Sequence, residues 1–212
     1  MTVQKKIEVH PMRQPESADK TPAPPRVPPG QHLVTSFPVL HVGPIPAFDP
    51  HTWRFKLFGL VQTEGTYTYA ELTSGRVLPI STVTADFHCV TTWSKLDNTW
   101  EGVRVVDLLA PLTLHPRVSH VMAHCFHGYT TNIPLADLRR DNVLLAWRHN
   151  GAELTPEHGY PLRLVVPHLY AWKSAKWIRG LEFLAEDASG YWEQRGYHRY
   201  GDPWREQRYA WD

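Results

Sequence analysis

The stretch Thr84-Ala-Asp-Phe-His-Cys-Val-Thr-Thr-Trp-Ser94, with Cys89 at its centre, decides how this chain is read. It follows a strand-like run, Val77 to Val83, and leads into polar residues that cannot form a core helix. A cysteine at such a junction sits at the lip of a sheet, within reach of a metal or substrate. A lone thiol is more often a small buried hydrophobe than a ligand. The polar setting weighs the other way, with His88 before the cysteine and Thr91, Thr92 and Ser94 after it. Soft thiolate suits soft or redox-active metals, and positive surroundings would raise the thiolate fraction.

Composition limits what surrounds this stretch. A chain of 212 residues with 42% apolar content is long enough for one well-packed domain. With 22 basic and 21 acidic residues the formal charge is +1, so neither nucleic acid nor a membrane surface is an expected partner. Nine tryptophans, nine tyrosines, 19 prolines and 13 glycines point to β-structure with long connections. The cysteines Cys89 and Cys125 permit one bridge but no disulfide framework, and there is no Cys-x-x-Cys pair. No apolar run approaches the roughly 18 residues of an integral membrane segment. The N-terminus lacks the basic-then-apolar order of a secretory signal, so a cytoplasmic location is expected.

Residues 1–30 are polar and proline-rich and are expected to form a flexible arm, because they cannot bury enough apolar surface to offset ordering. The domain is expected to span 31–212. Phe37-Pro-Val-Leu-His-Val-Gly-Pro-Ile-Pro46 reads as a prolyl-stiffened loop that holds His41 on a rigid, non-helical segment. A structural loop with an exposed histidine is the blander reading of it. Trp53 to Val61 alternates like a strand. Thr68 and Glu71 have capping-box spacing for a short helix ending near Gly75. Thr99 to Gly102 reads as a turn, and Val105 to Pro111 as a short helix.

Ser119 to Tyr129 reads as a strand, with Val121, Ala123, Cys125 and His127 on one face and Met122, His124 and Phe126 on the other. Asn132 to Leu138 is expected as a proline-started helix. Val143 to Arg148, Asn150-Gly151 and Ala152 to Leu154 predict a hairpin with a type I′ turn. Leu162 to Pro167 is expected as a central strand, and Trp177 to Leu184 as another. The tail from Gly190 to Trp204 is aromatic and basic without a period. The expected class is α+β, a mixed-sheet domain with short helices and long loops.

A second cluster lies in His158-Gly-Tyr-Pro-Leu-Arg163 and Tyr170-Ala-Trp-Lys-Ser-Ala-Lys176. Arg163 sits inside an apolar strand, where an unpaired guanidinium is costly. One solution is a core carboxylate such as Asp86. The other is a bound anion, with Lys173, Ser174 and Lys176 gathered at the strand's end as a phosphate cradle. Zinc is weakly supported. His88, Cys89, His124, Cys125 and His127 are suitable types, but His124 and Cys125 point to opposite strand faces. No Gly-x-Ser-x-Gly elbow is present for serine hydrolysis.

Together these stretches resemble the molybdopterin-binding domain of the sulfite oxidase family, and most nearly its small, single-domain bacterial type. The resemblance is carried by Phe87 to Ser94 with Trp100 to Leu109, by Asn150 to Leu154 with His158 to Pro167, by Tyr170 to Trp177, and by Gly190-Tyr-Trp-Glu-Gln-Arg-Gly-Tyr-His198. It covers residues 37–204 and implies the following roles. Cys89 is the thiolate ligand of molybdenum. The loop with His41, Pro44 and Ile45 packs near pterin and metal. His124 and Cys125 line the cofactor, Cys125 as a wall residue only. His158, Arg163 and Tyr170 meet pterin and phosphate. Lys173, Ser174, Ala175 and Lys176 close on the phosphate. His41 and His88 are candidates for hydrogen bonding or proton delivery near the metal.

The cofactor implied is molybdenum–molybdopterin in its non-dinucleotide form. The activity implied is oxygen-atom transfer to or from a small sulfite- or sulfoxide-like substrate, with a separate electron-transfer protein as redox partner. Vertebrate-type relatives carry an arginine-containing run after the metal cysteine; here Val90-Thr-Thr-Trp-Ser follows instead, which puts sulfite itself in question. No haem domain or immunoglobulin-like dimerisation domain is recognisable, and the oligomeric state stays open. A zinc- or thiol-dependent enzyme using Cys89 and histidines, or a non-catalytic cofactor-binding module, are the alternatives.

Overall fold

A computed structural model describes residues 25–212. Most of the arm expected over 1–30 therefore lies outside the described residues. The chain runs through β1 (His32–Leu33), β2 (Arg54–Gly59), β3 (Gly65–Thr68), α1 (Tyr69–Thr73), β4 (Ile80–His88), β5 (Trp93–Arg104) and α2 (Val105–Leu109). It continues through β6 (His120–Cys125), β7 (Thr130–Pro134), α3 (Leu135–Leu138), β8 (Leu144–His149), β9 (Ala152–Glu153), β10 (Arg163–Val165) and β11 (Ile178–Leu184). Two mixed sheets result. One follows the order β1-β5-β8-β10, with β4 on β5 and β9 on β8; the other follows β3-β2-β11-β6-β7. This is the α+β class the sequence predicts.

Local signals with a complete mechanism behave as expected. Thr68 and Glu71 make both bonds of the capping box, and α1 ends two residues before Gly75, whose φ of 71° breaks the helix. Asn150 and Gly151 both have positive φ, 49° and 80°, and join β8 to β9 as a type I′ turn.

Four expectations are corrected by long-range pairing. Thr99 to Gly102 is not a turn but part of the twelve-residue β5, which pairs β4 on one edge and β1 and β8 on the other. Gly102 is needed there for closeness, since a Cβ would collide with the Leu145 carbonyl and lie 2.7 Å from Ala146 Cα. Asn132-Ile133-Pro134 is strand, because Met122, Val121 and His120 pair with it, and the helix begins only at Leu135. The strand from Ser119 stops at Cys125. His127 at φ 58° and Gly128 at φ 72° reverse the chain into β7, so His127 shares no strand face with Cys125. Finally, β10 ends its sheet order rather than lying centrally. It is buried because the segment after it folds back, with Leu164 N–H donating to Ala175 O and Ile178 N–H to Leu162 O. The central strand of the other sheet is β11, parallel to β2 and antiparallel to β6.

Strand alternation divides the first sheet between two cores. Leu145, Trp147, Leu164 and Val166 enter a large cluster with Phe55, Leu57, Leu181 and Phe183 from the second sheet. Leu144, Ala146 and Val165 point the other way, into a smaller aromatic cluster with Phe87, Trp93, Trp100 and Cys89. Arg163 is two residues from Val165 and shares its face. Parity alone thus sends the buried guanidinium to the side of the sheet that carries the thiol.

Candidate functional site

Cys89 occupies the tip of the β4–β5 hairpin. Its N–H donates to Trp93 O, and Thr92 N–H returns to Cys89 O with Thr92 at φ 74°. The tight turn directs Thr91 Oγ1 onto the Cys89 sulfur at 3.1 Å. Gln31 Nε2 holds the Cys89 carbonyl and Arg208 Nη1 the Val90 carbonyl, at 3.1 and 2.8 Å, so the tip is braced from both termini of the domain. Burial pushes the thiol pKa up, while the Thr91 hydroxyl, the loop amides and the Lys176 charge oppose it.

The sulfur faces a cavity of about 320 Å³. Arg163 enters it from β10 and Lys176 from the returning segment, the two being joined by an antiparallel bridge. Gly159, at φ 114°, lets the preceding turn come close, since a Cβ there would stand 3.0 Å from Arg163 Cβ and 3.3 Å from Lys176 Cβ. Arg163 is 2% exposed, yet among the described residues its only acceptors are the carbonyls of His158 and Ser174, each at 3.0 Å. Its Nε has no partner among them, and its guanidinium lies 5.1–5.7 Å from the ring centres of Phe37, Phe87 and Trp100. Burial without a carboxylate pulls its pKa down to about 9. Asp86 is not its partner: that carboxylate binds Arg26, with Nε at 2.9 Å.

Lys176 repeats the pattern. Its Nζ reaches the carbonyls of Leu40 and Glu157 at 2.8 and 2.6 Å. Burial, then Arg163, lowers its pKa to about 7. Ser174 and Ala175 complete this side, the Ser174 hydroxyl oxygen being fixed by Val166 N–H at 2.9 Å. His41 stands at the rim, edge-on to Trp177 at 5.2 Å and bonded to Gly43 O. Among the described residues, the cavity wall carries the basic side chains of Arg163 and Lys176 and no carboxylate.

Cys89, Arg163, Ser174, Ala175, Lys176 and His41 are therefore brought together, and the other expected residues are not. His88 precedes Cys89 on an extended strand and points to the opposite face, where its Nδ1 meets Ser94 Oγ at 2.8 Å. His124 pairs with Glu182 across the second sheet at 2.8 Å. Cys125 packs against the large core, and burial pushes its thiol well up. The His158 ring stacks on Phe37 at 4.7 Å, so only its carbonyl serves the site. Tyr170 lies behind the wall, stacked on Trp172 at 5.4 Å, and Pro44 and Ile45 lie outside the lining. Lys173 is the clearest correction. It is wholly buried away from the cavity, with Nζ on Glu193 Oε1, Asn132 and the Arg199 carbonyl. Such an ion pair leaves it no reach toward a phosphate.

Sequence reading missed the aromatic wall: Phe37, Trp93, Trp172, Trp192 and Tyr197. The density of Trp and Tyr in the aperiodic tail was the one signal of it. It also missed the hydroxyl of Thr91 on the sulfur. Among the described residues, no group of three or more His, Cys, Asp or Glu side chains is placed to hold a metal, which removes support from a zinc site.

A metal bound by a single protein thiolate and anchored through an anion meets what the residues here lack. The orphaned Arg163 Nε and the two cations without carboxylates need negative charge. The oxidoreductase molybdopterin binding domain family matches residues 42–192. The uncharacterized oxidoreductase YuiH of Bacillus subtilis (strain 168) is 47% identical over 188 residues, 88% of this chain and 93% of that protein. Mitochondrial sulfite oxidase of Mus musculus is 29% identical over 184 residues, 73% of this chain but only 33% of that protein. Among solved structures, the sulfane dehydrogenase SoxCD from Paracoccus pantotrophus aligns at a TM-score of 0.62 and 25% identity, covering 70% of this chain and 42% of that chain.

Proposed function

The chain belongs to the oxidoreductase molybdopterin-binding family, of sulfite oxidase type, and from that premise we propose that it transfers an oxygen atom to or from a small sulfite- or sulfoxide-like substrate. One observation carries the reading: a buried thiol, the buried Arg163 and the half-buried Lys176 open on the same cavity, whose lining has no carboxylate among the described residues. The molybdenum–pterin cofactor supplies the two-electron oxygen-atom chemistry when bound.

The chain's own residues do the rest. Cys89 is the metal ligand, its sulfur tuned by the hydrogen bond from Thr91. Arg163 and Lys176 hold the cofactor's phosphate from two sides, with Ser174 and Ala175 between them. We take the cofactor in its non-dinucleotide form, with one terminal phosphate held by these two side chains. The aromatic cluster around Arg163 keeps water from the anion site and strengthens that attraction. His41, at the rim, is the candidate to deliver a proton. Electrons are exchanged in this reading with a separate redox protein. No helix among the described residues is long and apolar enough to cross a membrane.

Metal and pterin analysis of protein made in a molybdenum-replete host tests the reading. Near-stoichiometric molybdenum, with a fluorescent oxidised pterin and no released nucleotide, is expected. Zinc in its place would overturn it. Turnover of sulfite or methionine sulfoxide with an artificial electron carrier separates an enzyme from a cofactor-binding module.

A further inference from the structure

The sheet edges of this molecule are blunted at β10, β7 and β3 but not at β4. β10 is capped by the segment that returns after it, with Leu164 N–H on Ala175 O. β7 ends in Pro134, and the tail lies along it with Tyr191 N–H on Thr130 O. β3 has only four residues and begins at Gly65. β4, by contrast, has nine residues and pairs with β5 alone. Its run Ile80-Ser-Thr-Val-Thr-Ala85 contains no charge and no proline, two of the features that keep sheet edges from pairing. The one register shift in the β4–β5 ladder falls after it, between Ala85 and Phe87.

Hydrogen bonding on β5 fixes which groups of β4 face outward. Thr99 N–H donates to Asn150 Oδ1 at 2.9 Å, and Thr99 O accepts from Asn150 N–H at 2.8 Å. Thr99 therefore turns its backbone away from Thr84, its register partner, and the two form a pair without ladder bonds. Thr84 points its own N–H and C=O away from β5, and by alternation Thr82 and Ile80 do the same. Among the described residues none of these N–H and C=O groups has a partner. The side chains of Ile80, Thr82 and Thr84 are exposed as well. An open edge of β-branched residues is a template for one more extended strand.

Symmetry and charge select the occupant. A second copy presents the same edge, and a two-fold axis through Thr82 sets β4 antiparallel to itself. That register puts Thr82 opposite its own copy and Ile80 opposite Thr84, so every outward group on both strands finds a partner. Threonine across threonine and isoleucine across threonine are favourable cross-strand pairs. No like charges meet, because Asp86 lies beyond the paired run, where Arg26 Nε and Asp97 N–H donate to it at 2.9 and 3.0 Å. We infer that the outer edge of β4 is a homodimer interface, across which two copies of the chain join their first sheets into one. A strand edge of this length buries less than the roughly 1,200 Å² of a stable complex, so the dimer exchanges with monomer.

The test uses the full chain. Sedimentation velocity from nanomolar to submillimolar concentration should show the mass of one chain giving way to twice that mass. Hydrogen exchange at the Ile80, Thr82 and Thr84 amides should slow only at the high end. Thr82→Pro removes an outward N–H that β5 does not use, so the variant should keep its circular dichroism and stay monomeric. Thr82→Lys sets two ammonium groups face to face at the axis and should weaken the dimer about fivefold. Thr82→Cys places two thiols at the Cα separation of about 5.5 Å that a disulfide spans, so mild oxidation should cross-link it. Thr66→Cys, at an exposed threonine on β3, should not cross-link. A monomer at every concentration, a dimer indifferent to Thr82→Pro and Thr82→Lys, or equal cross-linking of the two cysteine variants would overturn the inference. So would slow exchange of these amides in a monomer, which assigns the edge to another segment such as residues 1–24. If Thr82→Pro fails to fold, Thr82→Lys and the cross-link decide the matter.

Discussion

Lys173 Nζ lies 2.6 Å from Glu193 Oε1, and both side chains are fully buried. The pair ties the segment that carries Ser174, Ala175 and Lys176 to the tail that carries Trp192 and Tyr197. Burial pulls the ammonium pKa down while Glu193 opposes it, and the same Glu193 oxygen also accepts from Thr131 and Trp172. Removing one member leaves the other charge uncompensated, so Lys173→Met or Glu193→Gln should cost about 3–5 kcal/mol in urea unfolding. The double variant should cost less than the sum of the two. Additive losses would mean that the pair does not couple loop to tail.

Cys89→Ser keeps the size of the hairpin-tip residue and removes the thiolate. The variant should fold, since among the described side chains only Thr91 donates to the sulfur, and its circular dichroism should match the wild type. Thiolate-to-metal absorption and turnover should vanish. Wild-type turnover would reject Cys89 as the ligand.

Thr91→Val removes the hydrogen bond to the sulfur at nearly constant volume. A thiolate relieved of that bond donates more charge to a metal, so the metal's reduction potential should fall. Redox titration followed by electron paramagnetic resonance measures this. An unmoved potential would show that the bond exists only to shape the turn.

Lys176 carries a pH signature. Burial, then Arg163, lowers its pKa from 10.5 to about 7 in the folded chain. Between about pH 7 and 10.5 the unfolded chain therefore binds the extra proton, and the stability of the cofactor-free protein rises with pH across that window. The gain is lost as pH falls back toward 7. Lys176→Met should flatten this dependence, raise the Tm of cofactor-free protein at pH 7, and lower pterin retention. An identical pH slope in the variant would remove Lys176 as its source.

Gly102→Ala inserts a methyl group where β5 meets the backbone of β8 at Leu145 and Ala146. Overpacking of this kind costs roughly 1–3 kcal/mol, and more where backbone is the obstacle. Chemical denaturation should show that loss with the order of the sheet unchanged. A neutral substitution would mean the two strands separate freely.

Much of the fold was legible because its signals act over a few residues. Thr68 with Glu71, and Asn150 with Gly151, specify their cap and turn by local hydrogen bonding and positive φ, and both appear. Thr99 to Gly102 looked like a turn by the same logic. It failed because pairing with β8 outweighs local preference, and the glycine serves a close approach that no short window displays.

For the site, the sequence by itself determined that a thiol stands at the lip of a sheet and that an arginine lies within an apolar strand. Strand parity then accounts for Arg163 sharing a side with Cys89 and for His88 turning away. Only the tertiary structure separated Lys173 from Lys176. The two lie three residues apart in one basic run, yet a single 3₁₀ turn carries one to Glu193 in the core and leaves the other at the cavity. The same holds for the wall, where Phe37, Trp93, Trp172 and Tyr197 meet from distant parts of the chain. Local hydrogen bonding and periodicity are written within a few residues; the packing that chooses which charge is neutralised and which ring lines a cavity depends on strands paired across the whole chain.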